Sequence, residues 1–185
     1  PLPANRRRFE AVDRLDALAR RLIRRRADAP PGPDLLSTLL RSTDLSDQRL
    51  RDETLTLLVA GHETTAGTLC WAWWLLAQHP DVARWLRSEV EAVDPSRTAT
   101  LARTCTAALP RTRAVVAEAL RLYPPSWLLG RRVIRPFDMD GWTLPGAALV
   151  VASQWALHRD PRFWEAPGAF RPERWLTDDG AFDPS

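Results

Sequence analysis

The stretch Ala60-Gly61-His62-Glu63-Thr64-Thr65 sets a carboxylate and two hydroxyls inside an otherwise apolar run, Leu57 to Trp74. An unpaired carboxylate in a dry helix is costly, and a glycine followed by two threonines weakens the helix that carries them. The combination makes chemical sense where protons must reach a bound ligand. A hydroxyl holds the ligand, an acid supplies the proton, and a residue without Cβ leaves room. The competing reading is a pair of satisfied core threonines. His62-Glu63 also suggests a zinc peptidase helix, which needs a second histidine one turn on. That position is Ala66, so the zinc reading fails.

A second constellation is Glu118 and Arg121 in the tetrapeptide Glu-Ala-Leu-Arg. A spacing of three puts both side chains on one face of a helix, where they can pair. An exposed ion pair is the plain alternative. Against it, Ala114, Val115, Val116, Ala117, Ala119, Leu120 and Leu122 surround the pair. A buried pair needs a further partner for the guanidinium fork and both carboxylate oxygens. Arg174, in the proline-restrained Phe170-Arg-Pro-Glu-Arg-Trp175, is the candidate. Taken alone it reads as a surface arginine packed on Trp175.

The elements that must position these groups follow from periodicity and breakers. Arg6 to Arg26 has the apolar spacing of one helix face, ended by Asp-Ala-Pro-Pro-Gly-Pro-Asp. Leu35 to Leu40 is a short helix. A long helix is expected from Asp47 to His79, stopped by Pro80. Asp81 to Val93 and Arg111 to Leu122 are further helices, with 94–106 polar and ambiguous between them. After Pro124-Pro125 the pattern turns to β-branched stretches, with hairpin turns expected at Asp140-Gly141 and Pro145-Gly146. One helical turn is expected at His158-Arg-Asp-Pro-Arg-Phe-Trp164, and the remainder is irregular. The fold class is mainly α with a small β-sheet region.

Composition narrows the function classes. The chain has 185 residues, 45% hydrophobic, a net charge of +3, and all 26 of its basic residues are arginine. That bias reflects a GC-rich bacterial coding style, and Arg24-Arg25-Arg26 reads as the solvated end of an amphipathic helix, so no nucleic-acid partner is expected. Cys70 and Cys105 have no paired spacing, which suits a reducing interior. Leu55 to Ala77 approaches the length of a membrane span, but His62 and Glu63 near its centre argue for a buried core helix, and a cytoplasmic location is expected. The single methionine is Met139, so the sequence is expected to be an internal piece of a longer protein.

In order, Ala-Gly-His-Glu-Thr-Thr (60–65), Glu-Ala-Leu-Arg-Leu-Tyr-Pro-Pro (118–125), His-Arg-Asp-Pro-Arg-Phe-Trp (158–164) and Phe-Arg-Pro-Glu-Arg-Trp (170–175) resemble the oxygen-binding helix, the E-x-x-R helix and the aromatic-arginine meander of the cytochrome P-450 family. The likeness covers essentially all 185 residues, which it places as the central part of one such domain, truncated at both ends. It implies haem b (heme iron) held by a cysteine thiolate, and insertion of one atom of O2 into a small organic substrate. Electrons would come from NAD(P)H through a ferredoxin or a flavoprotein reductase. It further implies that Ala60 and Gly61 make room beside the cofactor, that Thr64 hydrogen-bonds dioxygen and that Glu63 relays protons. Glu118, Arg121 and Arg174 would form a structural salt-bridge triad. Arg131 would meet a haem propionate, with Arg132 as competitor. Ser126 to Leu129 and the Leu57–Val59 side of the long helix would line the substrate pocket, and His158 would pack rather than bind iron. The family's axial cysteine loop, F-x-x-G-x-x-x-C-x-G, is expected beyond Ser185. Neither Cys70 nor Cys105 has its surroundings, so no metal ligand is assigned within the chain. The other reading is a truncated, catalytically silent fragment.

Overall fold

The structure is a computed structural model that describes residues 3–42, 45–93 and 109–184. Cys105 and the whole of the ambiguous 94–106 segment lie outside the described residues. The chain divides into two compact units, residues 1–63 and 64–185, with the boundary inside the long helix.

In the first unit, helix α1 (Pro3–Ala27) ends in Arg24, Arg25 and Arg26, cations that suit the carbonyl end of a helix. The Pro-Gly-Pro connector leads to α2 (Leu35–Leu40), whose N-cap is Asp34, accepting from the Ser37 N–H. Arg26 Nε closes this corner, donating to Asp34 at 2.9 Å and to the buried Ser37 hydroxyl at 2.6 Å. Arg51 donates to Asp16, tying the start of α3 (Asp47–Gln78) to α1.

In the second unit, the C-terminal turns of α3 bury Ala72, Leu75 and Leu76 against Val115, Ala119 and Leu122 of α5 (Pro110–Leu122) and against Phe170. Helix α4 (Pro80–Glu91) adds Val82, Trp85 and Leu86 to the same core. Pro80 therefore ends one helix and opens the next, because its missing N–H is harmless in a first turn. Glu89 of α4 caps α5, accepting from the N–H groups of Arg111 and Thr112 at 2.8 and 2.9 Å.

Strand β1 (Leu129–Arg132) pairs antiparallel with β4 (Leu149–Ala152), Leu129 facing Ala152. Strands β2 (Phe137–Met139) and β3 (Trp142–Leu144) form a hairpin between them. Asp140 and Gly141 both have positive φ, 48° and 81°, the two-residue turn their sequence forecast. Pro145-Gly146 does not make a second hairpin. Hydrogen bonds from Val133 N–H to Ala148 O and from Ala147 N–H to Val133 O extend the β1–β4 pairing instead. The helical turn forecast at 158–164 is present, closed by the Phe163 and Trp164 N–H groups on the Asp160 carbonyl. A further short helix, α6 (Gln154–Leu157), precedes it, capped at Ala156 by the Ser153 hydroxyl. A 3₁₀ turn, Pro172–Trp175, closes the chain's ordered meander.

One expectation is corrected. The run 57–74 is not a dry helix: Leu57, Val59, Leu69 and Trp73 are exposed by 42, 51, 49 and 70%. Hydropathy marked the whole run, but burial follows contact, and within the second unit one face of its last turns meets α5. No helix among the described residues is long and apolar enough to cross a membrane. Truncating Leu75 to alanine should cost about 2–5 kcal/mol in a denaturant titration, since it opens a cavity where α3 meets α5.

Candidate functional site

The second unit holds a buried ionic centre. Glu118 and Arg121 lie one helical turn apart and are 0 and 1% exposed. They pair in fork geometry, Arg121 Nε to Glu118 Oε2 and Nη2 to Oε1, both at 2.8 Å. The three remaining guanidinium donors reach backbone carbonyls of His158 (2.6 Å), Pro167 (2.8 Å) and Ala169 (3.0 Å). All five N–H groups are thus used. On the carboxylate, Oε1 also accepts from the Arg171 N–H at 3.0 Å and Arg174 Nε at 3.2 Å, while Oε2 accepts from the Trp175 indole at 2.9 Å. The Trp164 ring lies under both guanidinium groups.

The structure therefore brings Glu118, Arg121 and Arg174 together as one cluster. Arg171 N–H, the Trp175 indole and the three loop carbonyls were not foreseen from the sequence. The indole was legible in hindsight, because a tryptophan next to Arg174 in a tight turn carries a donor that must be satisfied. Burial pushes the Glu118 carboxyl up, but the hydrogen bonds from Arg121, the Arg171 N–H and Trp175 outweigh it and hold it below the usual glutamate range. The charge that such a bridge needs is thereby kept.

On the other side of α5 lies an apolar groove of about 520 Å³. Leu69 of α3, Val116 and Leu120 of α5, and Pro124 and Pro125 form its walls. Hydroxyls of Thr64, Thr65, Thr68 and Ser126, with Gln154 and His158, supply its polar groups. Thr68 Oγ1 donates to the Thr64 carbonyl at 2.8 Å. The helix stays continuous through this region despite that back-bond. A carbonyl has a second lone pair and accepts the hydroxyl as well as its own N–H. His158 Nδ1 faces the Arg121 carbonyl at 3.2 Å and so carries the proton. Burial and the nearby Arg121 charge pull its pKa down, which keeps the ring neutral. Its packing on Trp164 and this bond agree with the packing role expected for it.

The remaining expected residues are placed as follows. Thr64 lines the groove; Ala60, Gly61 and Glu63 belong to the first unit and are exposed. A Cβ on Gly61 would meet nothing within 4 Å. Of Ser126 to Leu129, only Ser126 reaches the groove. Arg131 is exposed on β1 opposite Val150, its Nη1 donating to the Gly130 carbonyl. Cys70 is exposed and outside the groove. Among the described residues no cluster of His, Cys, Asp and Glu could hold a metal ion. Thr65, Thr68 and Gln154 went unassigned in the sequence, although Thr68 stands one turn after Thr64.

A long helix with a threonine-lined groove, a buried E-x-x-R pair and an aromatic-arginine meander define a mainly helical scaffold with a small β region. The sequence model of the family described as cytochrome P-450 matches residues 1–185, and the chain belongs to that family. It is similar to cyclooctatin synthase of Streptomyces melanosporofaciens, 40% identical over 189 residues, which cover 96% of this chain and 40% of that protein. Cyclooctat-9-en-7-ol 5-monooxygenase of the same organism is 40% identical over 186 residues, with the same coverage. Among solved structures it resembles the retinoic acid-bound cyanobacterial CYP120A1, with a TM-score of 0.79 and 33% identity, over 93% of this chain and 40% of that one. The chain thus spans about two fifths of the length of these relatives.

Replacing Glu118 by glutamine keeps its shape and removes the charge, leaving Arg121 buried without compensation. The cost should be about 3–5 kcal/mol in chemical denaturation. Because the folded carboxyl titrates below its unfolded value, its contribution is full above the ordinary glutamate pKa. It is lost as pH falls through the depressed folded value. Measured stability should therefore drop on acidification in the native protein, and more shallowly in Glu118→Gln.

Proposed function

We propose that residues 1–185 are the central part of a cytochrome P-450 domain whose complete protein is an O2-dependent monooxygenase. The observation that carries this reading is the groove, where a row of threonine hydroxyls from one helix stands over an apolar wall built by the E-x-x-R helix and the Pro-Pro turn. An apolar wall with hydroxyls at its edge suits the face of a flat macrocycle, so the residues present fit one side of a haem site. Among the described residues none offers a thiolate there, since Cys70 lies outside the groove. In this reading a cysteine thiolate of the complete protein would hold the haem iron.

Haem b, when bound, supplies the reduction of O2 and the transfer of one oxygen atom to substrate. The chain's own residues do the rest. Thr64 would offer its hydroxyl to dioxygen, and Glu63 would hold the proton that the chemistry consumes. Ala60 and Gly61 keep side-chain bulk away, and Arg131 offers a cation to a cofactor carboxylate. Glu118, Arg121 and Arg174 do no chemistry and fix the scaffold.

The substrate class is a largely apolar hydrocarbon bearing a hydroxyl or carboxyl group. Relatives named for cyclooctat-9-en-7-ol and bound to retinoic acid point to such compounds, and the groove's lining agrees. Electrons reach the complete protein singly from NAD(P)H through a ferredoxin or flavoprotein, in the cytoplasm.

The reduced, carbon monoxide-treated complete protein should show the Soret band of a thiolate-ligated haem, while residues 1–185 with added haem should not. A thiolate band from the short chain would overturn the assignment of the axial ligand. In the complete protein, Thr64→Ala should keep haem binding and lower product formed per electron pair consumed. Glu63→Gln should slow turnover by roughly 10²-fold or more, the scale of a lost proton donor. Unchanged coupling and turnover in the two variants would refute the proton-delivery roles.

A further inference from the structure

Arg159 stands beside the ionic centre but takes no part in it. Its guanidinium lies over two rings, 5.5 Å from the Tyr123 centroid and 4.4 Å from that of Trp155. Tyr123 is itself clamped, stacked on Trp71 at 4.0 Å with 7° between planes, and met edge-on by Trp74. The cation is thus held in a preformed slot. Its Nη1 is buried and finds no hydrogen-bond acceptor among the described residues.

The neighbouring charges do not compensate it. Asp160, next in sequence, is engaged by Arg162 through three hydrogen bonds from its Nε and Nη2. Glu118 already accepts five hydrogen bonds, and the nearby Arg121 adds like charge. Burial pulls the Arg159 pKa down from the usual arginine range, yet a guanidinium stays charged in proteins. Rings on its faces satisfy its charge in part through cation–π attraction but accept nothing along the N–H bonds, which lie in the guanidinium plane. The Nη1 edge of this half-buried planar donor is shut off from water beside two rings, and the acceptor chemistry that matches such an edge is a carboxylate.

We infer that Arg159 is the receptor for a carboxylate oxygen, taken at Nη1 beside the rings of Tyr123 and Trp155. The carboxylate comes either from a small molecule or from an aspartate or glutamate of the complete polypeptide. This assignment does not depend on haem chemistry.

The test uses the complete protein and its Arg159→Met variant, with denaturant midpoints read from pH 8 to pH 4.5 in sodium chloride and, at equal ionic strength, in sodium acetate. At pH 8 the variant should lose roughly ten- to a hundredfold in folding equilibrium constant, the scale of one charge-assisted hydrogen bond. The difference should shrink as pH falls through the carboxylate range. Glu118 titrates in both proteins and cancels in the difference. The Arg159 charge itself holds the His158 pKa down, so the pair is compared again in a His158→Gln background, where the same pH-dependent difference is expected. Acetate that stabilises the native protein but not the variant identifies an exchangeable small-molecule carboxylate. No acetate response, with the pH-dependent difference intact, assigns the carboxylate to the polypeptide. A pH-independent loss would show that the rings alone hold the cation. A variant as stable as the native protein would mean that Nη1 meets trapped water only. Either result overturns the inference.

Discussion

A carboxylate and a guanidinium shut off from water must be satisfied in full, and that requirement at Glu118 and Arg121 shapes the meander. The stretch from His158 to Trp175 has one short 3₁₀ turn and otherwise no regular ladder to define it. Its path is set by where Arg121 finds three carbonyls and where Glu118 finds an N–H, a guanidinium and an indole. An apolar cluster of equal volume could be as stable. Apolar contact is non-directional, however, and would not select which carbonyls turn inward. The polar centre converts a flexible connector into a fixed one.

Helix α5 carries this order to the groove. At 100° per residue, Val116 and Leu120 fall on the face opposite Glu118. One face of the helix therefore binds the meander and the other builds the apolar wall. His158 joins the two, since its carbonyl accepts from Arg121, its Nδ1–H donates to the Arg121 carbonyl, and its ring lines the groove. A change in the buried pair is thus felt at the groove through the backbone and through the Arg121 charge that acts on His158.

Much of this was legible in the sequence, and for local reasons. Leu35–Leu40 and the Asp140-Gly141 turn are written in caps, breakers and positive-φ residues, which act over a few positions. The E-x-x-R pair was legible because spacing of three on a helix needs no tertiary information. What could not be read depends on long-range contact. Pro145-Gly146 has turn chemistry, but β1 won the pairing with β4. The apolar run 57–74 has core hydropathy, yet only Ala72 within it is buried. The partners of Arg121 are main-chain carbonyls, which carry no side-chain signature.

The all-arginine composition looks different once positions are separated. Arg6, paired with Glu10 on an exposed helix face, would lose little as lysine, because a point charge serves there as well as a fork. Arg121 would lose a great deal. Lysine brings three donors from one nitrogen and cannot face two carboxylate oxygens side by side while also reaching three carbonyls. Arg174 is similarly placed, with Nε on Glu118 and Nη2 on the Glu165 carbonyl at 3.1 Å. A genomic preference can supply arginine everywhere, but only at the buried positions does the planarity of the group decide whether the fold exists.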